Sequence, residues 1–159
     1  MTGSLSDPVF AAIALGSNLG DRRAHLDYAV SRLRSILQDI LVSRYFETAP
    51  VDVPGDQPAF LNGAVVGDTT LLPRELLRLL LAIEAERGRA RPFAGAARTL
   101  DLDLVLFGDQ VIDEPGLIVP HERFRERAFV LEPLAEIAPG VADPVTGKTV
   151  GQLLNLIIE

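Results

Sequence analysis

Arg98-Thr99-Leu100-Asp101-Leu102-Asp103-Leu104-Val105-Leu106-Phe107 alternates with period two, the pattern of a strand with one apolar face and one face of another kind. Leu100, Leu102, Leu104 and Leu106 are expected to point together into a core. Thr99, Asp101, Asp103 and Val105 then share the opposite face. Two carboxylates on one strand face, ~6 Å apart at an effective dielectric of ~20, repel by roughly 3 kcal/mol. Asp is also a poor strand former. Two readings answer that cost. The strand is either a solvated edge with two harmless acids, or a site where a hard divalent cation such as Mg²⁺ turns repulsion into coordination. Arg98, just before the strand, favours the second, because a cation beside a metal site suits a phosphate.

Working outward, Val9–Leu15 is a short apolar run suited to a buried strand. Gly16-Ser17-Asn18-Leu19-Gly20-Asp21 follows as a turn rich in N-capping residues. Leu26, Ala29, Val30, Leu33 and Leu37 have helical spacing over about 22–37. The glycine turn lacks the fuller spacing of a dinucleotide or Walker loop, so it reads as a plain strand-to-helix connection. Residues 40–47 are expected as a second strand. Thr48–Pro58 is too rich in Pro, Gly and Asp to be regular, and so long a loop in a compact domain is usually functional or mobile. Residues 60–68 resume a strand. A leucine-rich helix then runs from Pro73 to about Arg87, with Pro at its first turn.

Gly88–Ala97 is a second irregular stretch leading into Arg98. Beyond the aspartates, Gly108-Asp109-Gln110 reads as a hairpin turn returning through Val111-Ile112. A short strand is expected near 117–119, a helix from about Glu122 to Ile137, and a last helix over 149–157. The order β-α-β-β-α-β followed by a hairpin and more helix indicates α+β with a mainly antiparallel sheet.

The chain has 159 residues, enough for one domain with a sizeable core. The opening Met1–Pro8 has no basic region followed by an apolar one and reads as a short disordered leader, which leaves 9–159 as a single domain. No apolar run approaches the ~20 residues of a membrane span. There is no cysteine, which fits a cytoplasmic protein. A net charge of −7 argues against a nucleic-acid binder. The basic residues are nonetheless clustered. All but Lys148 are Arg, and Arg87, Arg89, Arg91, Arg98, Arg123, Arg125 and Arg127 fall within one stretch. A local basic patch in an acidic protein points to a small anionic ligand.

Five motifs occur in register between about residues 9 and 140: Gly16-Ser17-Asn18; Asp56-Gln57-Pro58 with Phe60-Leu61-Asn62; Gly88-Arg89-Ala90-Arg91; Arg98-Thr99-Leu100-Asp101-Leu102-Asp103; and Val119-Pro120-His121 with Arg127 and Phe129. Together they resemble the 6-hydroxymethyl-7,8-dihydropterin pyrophosphokinases, folate-pathway enzymes that move pyrophosphate from ATP to a pterin alcohol. The resemblance implies a ferredoxin-like core, with six mainly antiparallel strands and helices on both faces. It implies that Asp101 and Asp103 hold two Mg²⁺ ions on the phosphates of ATP and are catalytic together with Arg98 and Arg89. Arg91, Arg98, Glu84, Leu104, His121 and Arg127 fall on its ATP-binding positions. Thr48, Ala49, Val51, Phe60, Asn62 and Phe129 fall on its pterin positions, with Phe60 and Phe129 as the two plates of an aromatic sandwich. The partners implied are those two small substrates, with no nucleic acid and no membrane, and the chain is expected as a monomer.

Three departures stand out. The stretch Phe93–Ala97 is one residue shorter than the family lid and lacks its Trp and additional Arg, which bears on closure and turnover. Glu122 stands where an aromatic is common, and Gly116 where some relatives carry Arg. They leave two alternatives worth naming beside the enzyme: a family member that binds but does not turn over, and a ligand-binding module without chemistry. A two-metal phosphohydrolase would use the paired acids but not the aromatic pair.

Overall fold

A computed structural model of the chain describes residues 7–49, 58–88 and 99–158. Strand β1 (Val9–Ser17) is followed by helix α1 (Arg22–Arg34), strands β2 (Gln38–Val42), β3 (Phe46–Thr48) and β4 (Phe60–Thr69), and helix α2 (Pro73–Glu86). Then come β5 (Asp101–Phe107), β6 (Ile112–Glu114), β7 (Leu117–Val119), a 3-10 turn (Phe124–Glu126), α3 (Ala128–Ile137) and α4 (Val150–Ile158). The main sheet is antiparallel with the order β2-β4-β1-β5, and β3 lies end to end with β2 along the outer edge of β4. Strands β6 and β7 form a separate hairpin.

The central strand β1 is buried on both faces, which explains why its sequence is apolar without alternation. Ala11, Ile13 and Leu15 face α1 and α2 through Leu26, Leu33, Leu76, Leu80 and Ile83. Ala12 and Ala14 face α3 and α4 through Val130, Leu131, Leu134, Val150 and Leu153. Both early helices begin where the sequence places caps. The Asp21 carboxylate accepts from the Ala24 N–H at 3.1 Å. Glu75 accepts from the Leu72 N–H at 2.8 Å, with Pro73 in the first turn of α2.

The structure departs from the sequence expectations in five places. The six-stranded count becomes, among the described residues, five strands in one sheet and two in a hairpin. The strand expected over 40–47 is split, because Ser43 turns its hydroxyl to the Ala64 N–H and Arg44 carbonyl while Tyr45 is drawn to Asp27. Gly108 to Gln110 does not close a hairpin onto β5; β6 pairs with β7 around Gly116, whose φ of 77° suits glycine. The helix expected from Glu122 breaks at Arg127, whose backbone is extended. Finally, Leu106 does not join Leu100, Leu102 and Leu104. The β1–β5 register shifts between Ala12 and Ile13, so Val105 is an extra residue. Leu106 therefore falls on the α3 and α4 face and Phe107 on the other. A bulge reverses the phase of alternation.

The C-terminal region is fastened by one ion pair. Arg125 in the 3-10 turn grips the fully buried Asp143 with two hydrogen bonds of 2.5 and 2.9 Å. Burial pushes the Asp143 carboxyl up, but Arg125, the Thr146 hydroxyl and the Val145 N–H outweigh it and hold the group at about 2. Removing one partner of a buried pair strands the other. Asp143→Ala is therefore expected to destabilise the fold by about 3 kcal/mol, read as a lowered urea midpoint, and a midpoint within error of wild type would refute the role given to this pair.

Candidate active site

Residues directly opposite each other in a sheet share a face. Gly16 on β1 lies opposite Asp101 on one side and Asn62 on the other, and Asn62 in turn lies opposite Phe46. On one side of this row Ala14 lies between Asp103 and Ala64, and on the other side Thr48 lies opposite Phe60. The alternation therefore brings Asp101, Asp103, Asn62, Phe60 and Thr48 to a single face. It is the face that α3 and α4 cover further along.

Glycine at position 16 keeps this row open. A Cβ there would sit 3.2 Å from Asn62 Oδ1 and 3.8 Å from Phe60 Cδ1, so the Asn62 and Phe60 side chains lean over the strand between them and the aspartates. Asn62 is 4 % exposed, and its Nδ2 donates to Thr48 Oγ1 at 2.6 Å. Ala49 follows, exposed, at the end of β3. Phe129 stands 37 % exposed in the first turn of α3, with the Arg127 guanidinium 5.5 Å over its ring. Such placement of a large aromatic and a stacked cation is unusual for a core residue.

On the outer side of β5, the His121 N–H donates to the Val105 carbonyl at 3.0 Å, which holds the histidine beside the aspartates. Burial lowers the basicity of its ring, Arg127 lowers it further, and Glu122 and Asp101 oppose both. The imidazole thus senses cation and carboxylate at once. An open pocket of about 240 Å³ adjoins it, bordered by Asp103, Leu104, Leu77, Ile118, His121 and Glu122. Leu77 and Ile118 were not legible as site residues. Leu77 sits in a leucine-rich helix that reads as core throughout, whereas the exposure of Ile118 (44 %) follows from its outward place in the β7 alternation.

Glu84 is 3 % exposed, and its Oε2 accepts from the Leu102 N–H at 2.7 Å. It thus acts on the backbone between the two aspartates. The feet of the segment 89–98 are also fixed. Arg87 Nε donates to His25 Nδ1 at 3.0 Å, its guanidinium lies 4.6 Å over Tyr28, and the Thr99 hydroxyl donates to the Gly88 carbonyl at 3.5 Å. Arg89, Arg91, Arg98 and the stretch 93–97 lie outside the described residues, as does Val51.

Asp101 and Asp103 are both half-buried on their shared face. Among the described residues no group of three or more His, Cys, Asp or Glu gathers around one point. Two half-buried carboxylates on one strand face are what Mg²⁺ uses when waters and substrate phosphates complete its shell. The donor set fits.

Residues 12–139 match the family model for 7,8-dihydro-6-hydroxymethylpterin-pyrophosphokinase (HPPK). The chain belongs to this family. A 2-amino-4-hydroxy-6-hydroxymethyldihydropteridine pyrophosphokinase of Bacillus subtilis is 46% identical over 144 residues, spanning 89% of this chain and 86% of its own. The protein of the same name from Pseudomonas aeruginosa is 43% identical over 144 residues, spanning 89% and 88%. Among solved structures, wild-type Plasmodium falciparum HPPK-DHPS with SDX-DHP shares the fold, with a TM-score of 0.76 at 16% identity. It covers 96% of this chain, which spans 45% of that longer protein.

In this HPPK-family chain, His25 is a neutral acceptor for Arg87. Burial and then Arg87 lower its pKa, with Asp21 opposing. The folded state therefore binds fewer protons than the unfolded state just below pH 6.5, so stability is highest above that value and falls as pH drops. The thermal midpoint is expected to decline between pH 7 and 5.5, and His25→Gln should flatten that decline. An identical slope in wild type and variant would exclude the Arg87 contact as its source.

Proposed function

We propose that this HPPK-family chain transfers pyrophosphate from ATP to 6-hydroxymethyl-7,8-dihydropterin, giving AMP and the pterin diphosphate for folate synthesis. The observation that carries this reading is the sharing of one sheet face by Asp101 and Asp103 with the Thr48–Asn62 pair and Phe60, separated only by Gly16 and Ala14. A phosphate-handling end and a heterocycle-handling end then meet across small residues, as a direct transfer between two bound substrates requires. The β-α-β-β-α-β order and the β2-β4-β1-β5 arrangement support a ferredoxin-like core, and residues 9–159 read as one domain. No described helix is long and apolar enough to cross a membrane; a cytoplasmic monomer is our working assignment.

The pterin ring lies between Phe60 and Phe129, and its polar edge meets Asn62, Thr48 and the backbone of Ala49 and Val51. The nucleotide lies along the edge of β5, against Leu104, His121 and Arg127, with its base in the pocket bordered by Leu77 and Ile118. Asp101 and Asp103 hold Mg²⁺, two ions in our reading, which when bound neutralises phosphate oxygens. The hydroxymethyl oxygen attacks the β-phosphorus in line, the bond from that phosphorus to the α,β-bridging oxygen breaks, and AMP departs. Arg98, Arg89 and Arg91 offset the charge on the transferred group, and Glu84 keeps the two aspartates in register through Leu102. Positioning and electrostatics suffice for such chemistry.

Incubation with ATP, Mg²⁺ and the pterin alcohol is expected to release AMP only when the pterin is present. ADP would mean transfer of the γ-phosphoryl group and overturn the mechanism; absence of any product would identify a protein that binds without turnover. Asp101→Ala or Asp103→Ala should lower kcat by at least about a hundredfold while leaving the fold intact, read as an unchanged far-UV circular dichroism spectrum; near-normal turnover would overturn the metal assignment. Phe129→Ala should weaken pterin binding by about tenfold or more and Mg-ATP binding far less; equal losses would make Phe129 a packing residue.

A further inference from the structure

Arg22 opens α1, and its guanidinium is spent on another part of the molecule. Nη1 donates to the Ala59 carbonyl at 2.7 Å, and Nη2 to Glu47 Oε2 at 3.0 Å. Asn18, fully buried just ahead of the helix, adds a longer bond from Nδ2 to the Pro58 carbonyl at 3.4 Å. Glu47 precedes Thr48 and Ala59 precedes Phe60, so one side chain ties together the two chain ends that carry these residues. Alternation turns Glu47 away from the face that Thr48 presents, so Arg22 holds β3 from behind. The first turn of a helix is an unfavourable place for a cation, because the N-terminal end of the helix dipole is positive. The Asp21 carboxylate at the N-cap offsets part of that cost. What Arg22 gains lies in its contacts with β3 and β4.

Strand β3 needs such a restraint. It is three residues long and, among the described residues, pairs only with β4 and forms the outer edge of the sheet. Short edge strands have weakly specified register. A slip of one residue would turn Thr48 to the wrong face and break its 2.6 Å bond to Asn62. We infer that Arg22 is a positioning residue for the pterin site, fixing the register of Thr48 against Phe60 and Asn62 without touching the substrate. The Glu47 partner is 61% exposed and contributes little by itself. The charge-assisted bond to the Ala59 carbonyl is the stronger of the two.

This inference rests on the assignment of Thr48, Phe60 and Asn62 to the pterin, and one experiment separates the two claims. Affinities for the pterin alcohol and for Mg-ATP are measured by calorimetry, with the corresponding KM and kcat, for wild type, Arg22→Ala, Arg22→Lys, Asn62→Ala and Arg22→Ala/Asn62→Ala. Arg22→Ala should weaken pterin binding about tenfold, with Mg-ATP affinity changed less than about twofold. Arg22→Lys keeps one charged donor and should recover part of the loss. In the Asn62→Ala background the Arg22→Ala penalty should shrink to less than about twofold, because the pair it registers is gone. Equal weakening for both substrates, or full additivity in the cycle, would reduce Arg22 to a general structural contact and overturn the inference. Loss of pterin affinity in Asn62→Ala but not in Arg22→Ala overturns it alone. No loss in Asn62→Ala overturns the pterin-site assignment and the inference with it.

Discussion

Two half-buried carboxylates on one face of β5 constrain everything around them. Covering Asp101 and Asp103 with an apolar helix would bury two like charges, which is costly. The same sheet face must nevertheless bury Ala12, Ala14, Ala64 and Val66 under α3 and α4. One face therefore has to be apolar and covered at one end, polar and open at the other. The boundary falls within β5 itself, between Asp103 and Leu106. The bulge opposite Ala12 and Ile13 places Val105 and Leu106 together on the covered face and turns Phe107 to the α1 and α2 side. Under strict alternation Val105 and Phe107 would have shared the covered face and Leu106 would have joined Leu102 and Leu104 in the α1 and α2 core.

The small residues of β1 follow from the same constraint. Gly16 and Ala14 separate the carboxylate side of the face from the Asn62 and Ala64 side. At Gly16 even a methyl would come within 3.2 Å of the Asn62 carbonyl oxygen. A larger residue would fill the space in which two substrates would have to meet. This is why the run Ala11 to Gly16 alternates in size rather than in polarity: Ile13 and Leu15 fill the α1 and α2 core, while Ala12, Ala14 and Gly16 keep the opposite face shallow.

Much of this was legible in the sequence, and the failures have physical causes. The period-two run placed the aspartates on one face, and the capping residues Asp21 and Pro73 marked where α1 and α2 begin. Leu106 was misplaced because a bulge depends on the register of the partner strand, which a strand's own sequence does not encode. The split between β2 and β3 depends on Ser43 and Tyr45 finding partners on β4 and α1, contacts distant in sequence. Phe129 could not be told from a core phenylalanine by pattern, since its exposure depends on Arg127 breaking the helix just ahead of it. Leu77 was hidden among leucines that are all apolar but not all equally buried. The family motifs named polar candidates for the site; the apolar border of the pocket beside His121 emerged only from the fold.

Asp101 and Asp103 stand on a strand, whereas the described arginines stand on helices and connections. Carboxylates that share a cation must keep a fixed separation, and a central sheet supplies it: β5 is tied to β1 along its length and held from its other side by Glu84 at Leu102 and by His121 at Val105. Arg89, Arg91 and Arg98 follow a foot fixed by Arg87 on His25 and Tyr28 and precede one fixed by Thr99 on Gly88. Arg127 instead holds its guanidinium 5.5 Å over the ring of Phe129, a cation–π contact. Under the proposed assignment that contact joins a cation of the nucleotide side to an aromatic of the pterin side, so occupation of one side would alter the environment of the other.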